Sequence, residues 1–218
     1  AQALPGASGY DPFAEFRRPL SRLAEGTEAL AGSAGKNGSV LSGCSEKVLR
    51  VACVGDSITE GAGLQVQSKT SYPVMLDSLL GPKYGVLNCG RSATTLQKQG
   101  DFPYWISKEY SNTFTYRPDI IIVKLGTNDT KSQNWQADRF KHDYQSLIDT
   151  LKTIPGQPKI YLCLPVPVYK TEWGINDSTL VKGVIPIIKE LAQHNKLTLI
   201  DLYQGMSGQP ENFGKNYC

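Results

Sequence analysis

Beyond residue 47 the chain alternates short, almost uninterrupted apolar runs with longer segments whose apolar positions recur every three or four residues. The runs fall at 48–54, 84–88, 119–125, 159–164 and 197–202 and are rich in Val, Ile, Leu and Tyr. Apolar character at consecutive rather than alternate positions suits parallel strands covered on both faces. Between the runs, 72–80 predicts a helix closed by Gly81-Pro82. A second helix is predicted over 137–153, with Phe140, Tyr144, Leu147, Ile148 and Leu151 on one face. A third spans 178–195, with Val181, Val184, Ile185, Ile188 and Leu191 together. Strand and helix alternating over short connections imply right-handed crossovers. The fold class expected is therefore α/β, a three-layer α/β/α sandwich around a mainly parallel sheet of about five strands.

Residues 1–46 differ in character. Ala, Gly and Ser dominate, and 31–39 reads as a Gly/Ser/Ala linker. Asp11 suits a helix cap with Pro12 at the first helical position, and Phe13, Phe16, Leu20 and Leu23 then share a face until Pro19 interrupts. The expected organisation is an N-terminal extension over 1–46, with a short helix and linker, and one domain over 47–218. Across all 218 residues 40% are apolar and 20% charged, which suits a folded globular chain. The 23 Lys and Arg against 20 Asp and Glu leave a net +3 without any basic block, so nucleic acid is not an expected partner. No apolar run approaches the roughly 18 residues of a membrane span. Of the five cysteines, Cys53 and Cys163 fall in apolar runs and read as buried free thiols, whereas Cys44 and Cys218 flank the domain as one candidate pair, and the odd total establishes no bridge. Their spacings match no zinc pattern, so neither metal nor cofactor is expected. The first residues carry no initiator Met and suit a mature end left after removal of a signal, which leads to an expectation of a secreted or periplasmic protein.

The chemistry concentrates where apolar runs end. Gly55-Asp56-Ser57-Ile58-Thr59-Glu60-Gly61 follows the first run, Asn88-Cys89-Gly90 the second, and Leu125-Gly126-Thr127-Asn128-Asp129 the third. In open parallel sheets ligands bind beyond the carboxyl ends of strands, so Ser57, Gly90 and Asn128 are expected on one rim. A small hydroxyl residue in a tight strand-to-helix turn suits an exposed nucleophile, with free N–H groups beside it. Gly-x-Gly-x-x-Gly after the first run, Gly-x-x-x-x-Gly-Lys-Ser/Thr and Gly-x-Ser-x-Gly are all absent.

Ser, Gly and Asn after three successive strands resemble the first three blocks of the SGNH (GDSL-type) hydrolases, over about residues 48–218. The resemblance implies the flavodoxin-like SGNH fold, with Ser57 as nucleophile. Its own N–H, the N–H of Gly90 and the Asn128 carboxamide would then form the oxyanion hole. Gly100-Asp101-Phe102-Pro103-Tyr104-Trp105, Lys124 to Lys131 with Asn134-Trp135, and Tyr161 to Pro167 are similar to bacterial sialate O-acetylesterase-like and other carbohydrate esterases. On that likeness the substrate is an acylated carbohydrate or other small ester. Asp56, Tyr104, Trp105 and Trp135 are candidate substrate-binding residues, and Trp173 lies in another loop on the rim side.

The fourth block of the family, Asp-x-x-His with the catalytic base, is not found in these 218 residues. His142 is expected on the solvent face of its helix and His194 at the amino end of the sheet, so neither is assigned as base. The domain is read as cut before its last motif, and a further piece or second chain carrying Asp-x-x-His is the partner this implies. The alternatives are a non-catalytic glycan-binding protein, or a lysophospholipase or thioesterase of the same fold.

Overall fold

The computed structural model describes residues 47–170 and 172–213, so the readings made for 1–46, for Cys44 and for Cys218 lie outside the described residues. Five strands, β1 (Leu49–Gly55), β2 (Tyr84–Gly90), β3 (Ile120–Lys124), β4 (Lys159–Leu164) and β5 (Thr198–Asp201), form one sheet in the order β2-β1-β3-β4-β5. All four pairings are parallel. The strand runs expected from apolar patterning are reproduced to within a residue or two.

The helices are α1 (Ser57–Glu60), α2 (Gln67–Thr70), α3 (Tyr72–Leu80), α4 (Lys108–Tyr116), α5 (Ala137–Lys152), α6 (Asp177–Thr179), α7 (Ile185–Asn195) and α8 (Leu202–Met206). The helix α4 was not expected, because Lys108-Glu-Tyr-Ser-Asn-Thr-Phe-Thr-Tyr116 has little apolar periodicity. It forms behind a local start signal: the Ser107 hydroxyl accepts from Tyr110 N–H at 3.1 Å. The expected helix over 178–195 is instead α6, a π-helical turn at Leu180–Val184, and α7. Pro186 explains the break, since it has no N–H to offer the carbonyl four residues back, and the ladder widens just before it.

The centre is β3. Each of Ile120, Ile121, Ile122 and Val123 is at most 2% exposed, and burying each side chain contributes roughly 2 kcal/mol. Phe140, Tyr144, Leu147, Ile148 and Leu151 of α5 are buried as their spacing predicts, and Cys53, Cys89 and Cys163 are buried free thiols. Among the described residues no helix is long and apolar enough to cross a membrane.

Register positions the site. Gly55, the last residue of β1, lies opposite Gly90 on one side and Lys124 on the other. Three strands therefore end at one level, and the segments after them must emerge side by side.

Candidate active site

Ser57 opens α1 directly behind the strand end. Asp56 is the helix cap, extended at φ −95° and ψ −153°, and its Oδ1 accepts from Ile58 N–H at 3.1 Å. Gly61 closes the turn in the left-handed region at φ 89°, a conformation that favours glycine. Ser57 is half-buried, and no side chain of the described residues bonds its hydroxyl.

Asn128 is 4% exposed in the turn after β3. One amide proton of its Nδ2 goes to Thr94 O at 3.1 Å, and its own carbonyl accepts from Asn134 Nδ2 at 3.1 Å. The second amide proton has no partner among the described residues. Gly90 shows a feature that spacing did not reveal: its N–H donates to Asn88 Oδ1 at 2.9 Å. An oxyanion at this position would have to share that donor with Asn88. Asn88 Nδ2 in turn reaches Glu60 O at 3.3 Å, while the Glu60 carboxylate accepts from Ser92 N–H at 2.7 Å and from the Ser92 hydroxyl. These bonds fasten the segment after β2 to the Ser57 turn.

Beneath the rim lies a buried ionic layer. Lys124 Nζ donates to both oxygens of Asp56, at 2.9 and 3.1 Å, and to Thr127 Oγ1 at 3.0 Å. Asp56 therefore faces inward, away from any substrate, which corrects its expected role as a substrate contact. Asp129, fully buried, accepts from Leu96 N–H and Gln97 N–H, both at 2.9 Å. Burial pushes its carboxyl up to about 6, against the opposing pull of the Leu96 and Gln97 N–H bonds. A carboxyl raised from 3.8 binds its proton more tightly folded than unfolded. Its contribution to stability is thus fully present below about 3.8 and lost as pH rises through about 6. A rise of that size corresponds to about 3 kcal/mol. Urea unfolding between pH 3.5 and 7.5, on the protein and on Asp129→Asn, checks this: the stability difference should move by about that amount against the charged form as pH rises. Parallel curves would refute it.

The candidate aromatic residues separate. Tyr104 is 1% exposed and its hydroxyl donates to Cys89 O at 2.7 Å, so its ring is core and not a sugar platform. Its buried hydroxyl found a backbone acceptor, which polarity along the chain does not reveal. Trp105 is half-buried, held through Nε1 to Leu96 O at 2.7 Å, with Lys98 Nζ 4.2 Å from its ring centre. Trp135 packs on Phe140 at 5.4 Å between ring centres, and against Gly183, where any Cβ would strike its ring. Trp173 remains 60% exposed.

Neither histidine side chain bonds Ser57. His142 is exposed on α5, with Nδ1 3.3 Å from Asp143 Oδ1. His194 is in the last turn of α7, which leads into the amino end of β5, opposite the rim. Sequence patterning passes over Lys124 and Asp129 as site residues. A lysine closing an otherwise apolar strand is the available signal.

A parallel sheet with a capped serine turn and a buried carboxamide at adjacent strand ends defines the three-layer α/β class with a strand-end serine site. Residues 53–217 match the model of the GDSL-like lipase/acylhydrolase family, and the chain belongs to that family. Over 176 residues it is 38% identical to an acetylxylan esterase of Xylanibacter ruminicola, which takes in 72% of this chain and 37% of that protein. The chain thus spans little more than a third of that relative's length. A lipase/acylhydrolase structure from Enterococcus faecalis is similar with TM-score 0.60 at 21% identity, over 78% of this chain and 85% of its own. An aryl esterase of M. smegmatis gives 0.59 at 22%, over 70% and 83%. A carbohydrate acetylesterase from Sinorhizobium meliloti gives 0.57 at 20%, over 70% and 83%. At these identities the likeness is one of fold, and it agrees with the three-layer sandwich expected.

Proposed function

We propose that this domain is the catalytic body of a serine esterase that removes acetyl groups from a carbohydrate. The observation that carries the reading is the level register of Gly55, Gly90 and Lys124, which sets Ser57 and Asn128 on one rim. Identity to an acetylxylan esterase supports acetyl as the acyl group and a polysaccharide as its carrier. In this reading Ser57 Oγ attacks the ester carbonyl, and the tetrahedral oxyanion accepts from Ser57 N–H, from the second amide proton of Asn128, and from Gly90 N–H shared with Asn88. Collapse expels the sugar hydroxyl and leaves an acetyl-serine, which water then hydrolyses. Three fixed donors in a partly dry site favour the charge that develops at that oxygen.

A serine hydroxyl needs a base to take its proton. His142 and His194 both lie elsewhere, and this reading assigns the base, as the family likeness implies, to an Asp-x-x-His segment supplied by a further piece or a second chain.

The test compares this chain alone with the same chain supplied with a segment carrying Asp-x-x-His, on p-nitrophenyl acetate, butyrate and octanoate and on acetylated xylan, with fluorophosphonate labelling read by mass spectrometry. The completed form should prefer acetate and release acetate from xylan, and Ser57 should carry the label. The chain alone should turn over slower by several orders of magnitude. A preference for octanoate would point to a lipid or thioester substrate, and failure to label Ser57 even in the completed form would leave a glycan-binding protein.

A further inference from the structure

We infer that Lys124 is a positioning residue that holds the Ser57 turn and the Asn128 turn in register, an inference that deepens the esterase reading and rests on it. Its side chain is 1% exposed and that of Asp56 is 0%. The ammonium has three protons, and three oxygens receive them: Asp56 Oδ1 at 2.9 Å, Asp56 Oδ2 at 3.1 Å and Thr127 Oγ1 at 3.0 Å.

The placement of those partners is the argument. Asp56 immediately precedes Ser57, and Thr127 immediately precedes Asn128. One cation thus bonds the residue before each of the two side chains that the reading places at the reacting carbonyl. Each partner also organises its own turn. Asp56 Oδ1 accepts from Ile58 N–H at 3.1 Å, and Thr127 O accepts from Thr130 N–H at 3.3 Å and from Thr130 Oγ1 at 2.7 Å. The strands supply register only as far as Gly55 and Lys124, and beyond that level the two turns share no ladder.

Stability does not explain a lysine here. Apolar side chains fill the rest of β3, and well-packed apolar replacements of buried ion pairs are often neutral or stabilising. What an apolar residue cannot do is bond two loops at once. A displacement of about 1 Å at a reacting group can cost about a hundredfold in rate, so the bond is placed where small errors matter.

Lys124→Met alone leaves the Asp56 carboxylate buried without its cation and is expected to weaken the fold. The informative variant is therefore Asp56→Asn/Lys124→Met, which removes both charges and keeps a carboxamide oxygen at position 56 to cap α1. Two quantities are read on the full chain once circular dichroism shows it folded: fluorophosphonate labelling of Ser57, and amide hydrogen exchange at Ile58 and Thr130 against Ile121 and Val123 of the core strand. The double variant should label about a hundredfold more slowly. Exchange at Ile58 and Thr130 should rise at least about tenfold while Ile121 and Val123 keep their protection. Unchanged exchange at Ile58 and Thr130 overturns the inference, whatever the labelling shows. Raised exchange with no labelling of the unaltered protein, even when it is supplied with a segment carrying Asp-x-x-His, would sink the esterase reading and still support Lys124 as the link between the turns.

Discussion

Gly90→Ala is expected to lose about 6–12 °C in Tm and nearly all reactivity of Ser57. A Cβ built on Gly90 would stand 2.6 Å from Thr59 C and 2.7 Å from Glu60 Cα, and closer still to Glu60 N. Those atoms are backbone, so no rotamer change relieves the contact. The turn that carries them is also pinned from below, by the Asp56 cap and by Lys124. Overpacking usually costs about 1–3 kcal/mol, and a clash with fixed backbone belongs at the upper end. For a domain of this size about 3 kcal/mol corresponds to the Tm shift given. Relief can come only by moving α1 away from β2, which takes Ser57 with it. Thermal unfolding and fluorophosphonate labelling measure both effects. A Tm within about 2 °C of the parent, with labelling intact, would show that the two segments are not packed as described.

Asn128→Ala is expected to slow labelling of Ser57 by about 10²–10³-fold. That is the cost of removing one oxyanion donor, about 2.7–4 kcal/mol. The variant also leaves Thr94 O without the amide it now accepts from at 3.1 Å. Loss of that bond costs about 1 kcal/mol, so Tm should fall by only about 2–4 °C. The separation between the two magnitudes makes the test decisive. A structural role alone would lower stability and reactivity together. A loss below about threefold in labelling would remove Asn128 from the oxyanion site.

Much of the architecture could be read along the chain because its cause is local or periodic. Ile120 to Val123 are apolar at every position since both faces of β3 are covered, and that pattern marks a parallel strand without any knowledge of its neighbours. The turn chemistry of Gly55-Asp56-Ser57 and Gly126-Thr127-Asn128 then marked the strand ends. The helix α4 escaped because its start is a single Ser107 hydroxyl bond and its sequence lacks an apolar stripe.

The ends of the apolar runs therefore determined that Ser57, Gly90 and Asn128 share a rim, since consecutive parallel strands all point one way. Tertiary structure alone decided what stands around them. Tyr104 became core because a backbone acceptor, Cys89 O, lay within reach of its hydroxyl. Gly90 N–H turned to Asn88, and Asp56 turned inward to a lysine 68 positions away. A buried polar group must find a partner, and which partner it finds is set by strand register across the sheet. That register brings Gly55 level with Lys124, and no pattern within either strand encodes it.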